Sequence, residues 1–309
     1  MGSTDLQSRF LGTMVGSAVG DAIGELAFTT PTRKHLEQRV EQALILRYTD
    51  DTAMAIGLAE SIVQNRGLDS LHLGDTFRRN YHREPWRGYA SGPPTVFSLV
   101  ARANLSYEQA AASLFGGAGS FGNGAAMRIA PVGLFFHDSP ELYEQCRTAS
   151  AVTHNHPVGI DGAAILARAV GLALTTPRNR RLSGPKFVDD LLRFSRSEPM
   201  AKMLTELRRL LTAGASPQEA ASALGRGVAV QDSLPFALYA FLSWPDNFEA
   251  CLYCAVINGG DCDTLGAMAC AVAGARCGLE GIPERWRIKL ENHRRIEVLA
   301  AGLWEASRG

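Results

Sequence analysis

The chain has no surplus of either charge: 31 lysines and arginines balance 31 aspartates and glutamates. A surface built mainly to hold nucleic acid would be basic, so that class of function is set aside. Cysteine is scarce and badly spaced for a metal. Five of the six lie between Cys251 and Cys277, but only Cys251-x-x-Cys254 has a chelating spacing, and neither a second such pair nor a histidine pair follows. Cys254, Cys262, Cys270 and Cys277 recur at intervals of eight, eight and seven, as small buried residues on helices do. That pattern predicts reduced thiols and a cytoplasmic protein. No basic leader with a cleavage pattern opens the sequence. Runs of alternating polar and apolar residues are missing, as are internal repeats and low-complexity tracts. With 46% hydrophobic residues in 309, there is ample material for one large core.

What is present is helical. The apolar stretch FLGTMVGSAVGDAIGELAF could pass for a membrane span, but Asp21 and Glu25 interrupt it, so a buried helix and no membrane are expected. Gly12, Gly16, Gly20 and Gly24 recur every four residues there and form one smooth stripe where another helix can approach. Ser216 with Glu219, and Ser106 with Gln109, have capping-box spacing, and Pro217 suits a first helical position. DTAMAIGLAESIV, GIDGAAILARAVGLAL and DTLGAMACAVAGARCG place apolar residues three and four apart. The basic segment 175–187 is expected as a solvated connection. WRGYASGPPTVF and FGGAGSFGNGAAMR are glycine-rich and nearly uncharged, suited to bringing backbone N–H groups against a ligand. The expectation is one all-α domain over residues 1–309, acting as a monomer.

Two of the helix starts carry unusual acid. Thr49, Asp50 and Asp51 head one; Asp261, Asp263 and Thr264 head another, behind a Gly-Gly turn. Asp and Thr are favoured at such positions because they accept free N–H groups and meet the positive dipole end, so each motif alone reads as a cap. If the two starts meet in space, four carboxylates gather and raise one another's pKa. Hard divalent cations, Mg²⁺ or Mn²⁺, would relieve that repulsion, and an all-oxygen donor set suits them better than zinc. A two-metal site holds its ions ~3.5–4 Å apart.

GDAIGE, YTDDTAMA, SFGNGAAMRIAPV, THNHP and GGDCDTLGAMACAVAG, in that order, resemble the ADP-ribosylglycohydrolase family, which includes the dinitrogenase reductase-activating glycohydrolases. RYTDDTAMA with SFGNGAAMR is most similar to the branch acting on serine-linked ADP-ribose and poly(ADP-ribose). The resemblance implies a compact fold of orthogonally packed helices around a central binuclear metal cleft. It also implies hydrolysis of the glycosidic bond of ADP-ribose attached to protein, polymer or ester. Thr49, Asp50, Asp51, Asp261, Asp263 and Thr264 match its ligands for two Mg²⁺ ions, with Cys262 standing where the family has Thr or Ser. Gly88, Tyr89, Ser91 and Gly92 match its diphosphate loop; Ser120, Phe121, Gly122, Asn123 and Gly124 match its ribose-facing loop; His154 matches a histidine beside the ligand. Tyr89 and Phe121 are also candidates for stacking. The catalytic candidates are Asp261 and Glu25. For Glu25 the match is displaced, since the branch's glutamate falls at the position of Phe28. Two other classes stay in view: a non-catalytic ADP-ribose-binding protein, and a Mg²⁺-dependent diphosphate enzyme of the prenyl-transfer type. The second lacks its DD-x-x-D spacing, because Met54 takes the last place.

Overall fold

The glycine stripe sets the centre of the molecule. In a computed structural model, which describes residues 3–30 and 32–308, the first helix, Ser3–Ala27, runs antiparallel along the helix Cys262–Cys277. The two are separated by little more than backbone. A Cβ on Gly12 would lie 2.6 Å from the Gly274 carbonyl oxygen, and on Gly16 2.6 Å from that of Cys270. On Gly20 it would lie 2.1 Å from the Gly266 oxygen, and on Gly24 2.3 Å from that of Cys262. Glycines four apart share one helix face, so this contact holds over about three turns and fixes the register of the pair. Its last point, Gly24 against Cys262 and Asp263, delivers the end of the first helix to the downstream acid motif.

Because the atom met at Gly20 is backbone, the neighbour has little freedom to yield. Gly20→Ala is expected to cost ~3 kcal/mol, the upper range for overpacking. The cost would be read as a lower urea midpoint at unchanged slope. Gly67→Ala, whose nearest neighbour is 4.0 Å away, should change little.

The described residues contain seventeen α-helices and two short 3₁₀ turns, with no strand among them. Two isolated β-bridges occur among the described residues, Leu46 with Leu290 and Gly122 with Ala229. Both capping boxes form as expected. The helix Pro157–Thr175 is long and apolar enough to cross a membrane, yet 78% of its apolar window is buried in this fold. It packs against the central pair and against the helices Ala130–Phe135 and Leu142–Ala151.

The basic segment after Thr175 is exposed, as expected, but its backbone is anchored. Arg9 donates to the carbonyls of Ala173, Leu174 and Thr176, and Arg276 to those of Thr176, Pro177, Arg178 and Arg180. Two buried guanidiniums thus satisfy the carbonyls that a helix end leaves open. All six cysteines are free thiols, five of them buried.

Candidate active site

The helix Asp50–Asn65 begins at Thr49, but Thr49 caps it only loosely, its hydroxyl accepting from the Asp51 N–H at 3.4 Å. The stronger cap comes from another helix. Asp21 Oδ1 accepts from the Thr49 N–H at 3.0 Å and its hydroxyl at 2.9 Å; Oδ2 accepts from the Thr52 N–H at 3.0 Å and its hydroxyl at 2.5 Å. With those donors served from outside, Asp50 and Asp51 are not needed as caps. Asp51 Oδ1 is buried without any hydrogen-bond partner.

The downstream start behaves alike. Asp261 occupies the N-cap of Cys262–Cys277 yet makes no capping hydrogen bond; its Oδ2 accepts from Asn123 Nδ2 at 2.6 Å. Asp263 Oδ1 accepts from the adjacent Thr264 N–H at 2.8 Å. Capping therefore accounts for one oxygen of Asp263 and leaves Asp50, Asp51 and Asp261 unexplained.

Both helix starts open into one cavity of about 420 Å³. Asp50, Asp51, Asp261, Asp263 and Thr264 line it, together with Gly88, Ser91 and Gly92, the loop Ser120–Gly124, and His154. Thr49 lies just behind Asp51, hydrogen-bonded to it and to Asp21. Cys262 is buried with its thiol towards the Gly260 carbonyl, outside the lining.

Two expected residues are placed elsewhere. Tyr89 turns behind its loop, packing edge-on to Tyr81 at 5.1 Å and lining a small separate pocket with Tyr48 and Asn80. Glu25 is exposed and does not line the cavity. The first helix continues through Ala27, and with Gly24 pressed on Cys262 the next residue turns ~100° away from that contact. Phe28 is also exposed outside the lining.

The site also has contributors with no motif of their own. Phe115 lines the cavity with Phe121, 67% exposed and held at φ 53°, a region a bulky side chain rarely adopts. Its position at the head of FGGAGSFG was the available signal. The segment 226–230 straps the site together: the Arg226 carbonyl accepts from the Asp261 N–H at 2.8 Å, the Val228 carbonyl from the Asn123 N–H at 2.8 Å, and the Val230 N–H donates to the Phe121 carbonyl at 3.1 Å. Gly260 has φ 87°, and a Cβ there would lie 2.2 Å from the Arg226 oxygen, which explains the Gly-Gly turn before Asp261.

The acids line the cavity together, Asp51 buried and Asp50, Asp261 and Asp263 half-buried. Burial first, then neighbouring carboxylates, push Asp50 up to about 7 and Asp263 up to about 8. Asp51 is raised well above the usual range by burial and by Asp263. Arg128, fully buried near Asp50, offsets this only in part, because it donates to the Gly124 and Ala149 carbonyls and to the Thr153 hydroxyl. Burial and Arg128 push His154 down to about 3, so its ring is neutral; Nδ1 lies 2.9 Å from the Thr153 hydroxyl.

An orphaned carboxylate oxygen, raised carboxyls and an all-oxygen donor set fit hard divalent cations. Among the described residues, no three His, Cys, Asp or Glu side chains already stand in a coordinating arrangement; the two pairs share a cavity without converging on a point.

Fold and site together define an all-α enzyme with an acid-floored ligand cleft between glycine loops. The chain belongs to the ADP-ribosylglycohydrolase family, whose model matches residues 2–309. It is a hydrolase of ADP-ribose linkages, which sets aside the binding-only and prenyl-transfer readings. It is 31% identical to human (Homo sapiens) ADP-ribosylhydrolase ARH3, across 96% of this chain and 93% of the human protein. It is 33% identical to the Danio rerio protein of that name, across 96% and 90%. ADP-ribosylarginine hydrolase Tri1 of Pseudomonas putida (strain GB-1) is 27% identical, across 96% of this chain and 78% of that protein. A solved structure described as an ADP-ribosylglycohydrolase-related protein complex superposes with a TM-score of 0.73 at 29% identity, covering 98% of this chain and 99% of the other.

Proposed function

We propose that this enzyme is a Mg²⁺-dependent glycohydrolase that releases free ADP-ribose from ADP-ribosylated protein, from ADP-ribose polymer or from an ADP-ribose ester. The observation that carries this is the pair of helix starts whose acids line one cavity, with Asp50, Asp51 and Asp261 making no capping bond. Thr49, Asp50, Asp51, Asp261, Asp263 and Thr264 would hold two Mg²⁺ ions, or Mn²⁺ in their place. When bound, the ions supply positive charge to the hydroxyls of the distal ribose and to an attacking water.

The chain's own residues do the rest. The loops at Gly88–Gly92 and Ser120–Gly124 offer backbone N–H groups to the diphosphate without adding a cation. Phe115 and Phe121, both in the cavity wall, offer flat faces to the adenine. Neutral His154 serves as a hydrogen-bonding partner without attracting the diphosphate by charge. Asn123 fixes Asp261, which takes a proton from water as the water oxygen bonds the anomeric carbon and the bond to the leaving oxygen breaks, and then returns that proton to the leaving oxygen. The surrounding carboxylates favour the oxocarbenium-like transition state.

The test is a panel of serine-, arginine-, ester- and polymer-linked ADP-ribose, each with Mg²⁺, with Mn²⁺ and with a chelator. Release from at least one linkage, falling on the order of 100-fold on chelation, is expected. Undiminished release in chelator would overturn the metal dependence. No release from any substrate would overturn the substrate assignment.

A further inference from the structure

Asp21 is fully buried, does not line the cavity, and spends its hydrogen bonds on the two threonines that bracket Asp50 and Asp51. It stands on the turn of the first helix between Gly20 and Gly24. Those glycines lock that turn onto the downstream acid motif, with Gly20 against Gly266 and Gly24 against Cys262 and Asp263. One helical turn thus grips both helix starts, the downstream one by backbone contact and the upstream one by a carboxylate.

We propose that Asp21 is the positioning residue of the site: it gauges the separation of the two acid pairs and, by capping the Asp50–Asn65 helix from outside, keeps the Asp50 and Asp51 carboxylates free for divalent cations. This rests on the metal reading above. The physical reason lies in the open donors of a helix start. Without Asp21, the Thr49 and Thr52 N–H groups and the Thr52 hydroxyl would turn to the nearest oxygens, those of Asp50 and Asp51. The Thr49 hydroxyl, now shared between Asp21 at 2.9 Å and Asp51 at 3.3 Å, would fall wholly to Asp51. All would compete with the ions. An asparagine there keeps the shape but replaces one acceptor oxygen by an NH₂ that faces donors.

The test uses the full chain with Asp21→Asn, Asp21→Ala, Thr52→Val and Thr52→Ser. Mn²⁺ affinity is followed by electron paramagnetic resonance, and ADP, which lacks the distal ribose, is titrated by calorimetry. Asp21→Asn should weaken Mn²⁺ binding by about 10–100-fold, the scale for losing a group that orients metal ligands. ADP binding should stay within about twofold, because the glycine loops and aromatics do not depend on Asp21. Thr52→Val should weaken Mn²⁺ binding less, and Thr52→Ser, which keeps the hydroxyl, should match the unaltered protein. If Asp21→Ala fails to fold, Asp21→Asn and Thr52→Val carry the test. Unaltered Mn²⁺ affinity in both would overturn the positioning role, and so would parallel loss of Mn²⁺ and ADP binding, which marks general damage. Failure of the unaltered protein to bind Mn²⁺ would instead overturn the metal reading itself.

Discussion

Replacing Asp261 and Asp263 together by asparagine is expected to reduce release of ADP-ribose by ~10³-fold or more, because groups that stabilise one transition state act as a unit. The change keeps volume and leaves the Gly24 contact with this helix start undisturbed, since that contact is made by backbone. Asparagine at 261 still offers an oxygen to Asn123, but it neither carries negative charge nor accepts a proton from water. A second consequence separates this outcome from misfolding. Asp263 is raised to about 8 by burial and by Asp261, so the native pair is a source of repulsion in the metal-free protein. The double variant should therefore melt above the unaltered metal-free protein at pH 8 while being nearly inactive, the trade between stability and activity usual for charged sites. Full activity in the variant would remove these residues from the chemistry.

The second large effect concerns pH and metal together. In metal-free protein, stability is expected to fall as pH rises from about 4 to about 8, and Mg²⁺ to restore it. Carboxyls whose pKa is raised in the fold hold their protons more tightly folded than unfolded. Their contribution is fully present below the ordinary value of 3.8 and is lost as pH climbs through about 6 for Asp21, about 7 for Asp50 and about 8 for Asp263. Each tenfold gain in proton affinity on folding is worth ~1.4 kcal/mol, so the cluster as a whole costs the metal-free fold on the order of several kcal/mol at alkaline pH. Cations that replace the protons reverse the sign. Magnesium at 100 times its dissociation constant adds ~2.7 kcal/mol, and it should do so at pH 8 far more than at pH 5, where protons compete for the same oxygens. Thermal melts across this range, with and without Mg²⁺, check the claim. A melting temperature at pH 8 indifferent to Mg²⁺ would contradict it.

Much of the fold and of the cleft's acid chemistry is legible in the order of residues. The four-residue glycine period marks a close helix contact, the capping boxes mark two helix starts, and the acids at Asp50, Asp51, Asp261 and Asp263 stand out as more than a cap requires. These signals are local. A helix face, a cap and a tight turn are set by residues within a few positions of one another, so spacing alone reveals them.

Other features belong to the folded chain. Asp21 reads as an interruption in an apolar helix until Thr49 and Thr52 are brought to it from 28 and 31 residues away. Glu25 and Tyr89 carry suitable chemistry but lie outside the cavity lining; the glycine stripe hints at this for Glu25, whereas nothing within a few residues of Tyr89 does. The strap at 226–230 has no motif, because it contributes backbone carbonyls and an N–H that every residue type but proline could supply. An all-helical chain, its helix starts and the oxygen chemistry gathered there follow from the order of residues alone. Which carboxylate works as a cap, and which are left facing the cavity, is settled only on folding, because that choice depends on donors delivered by distant segments.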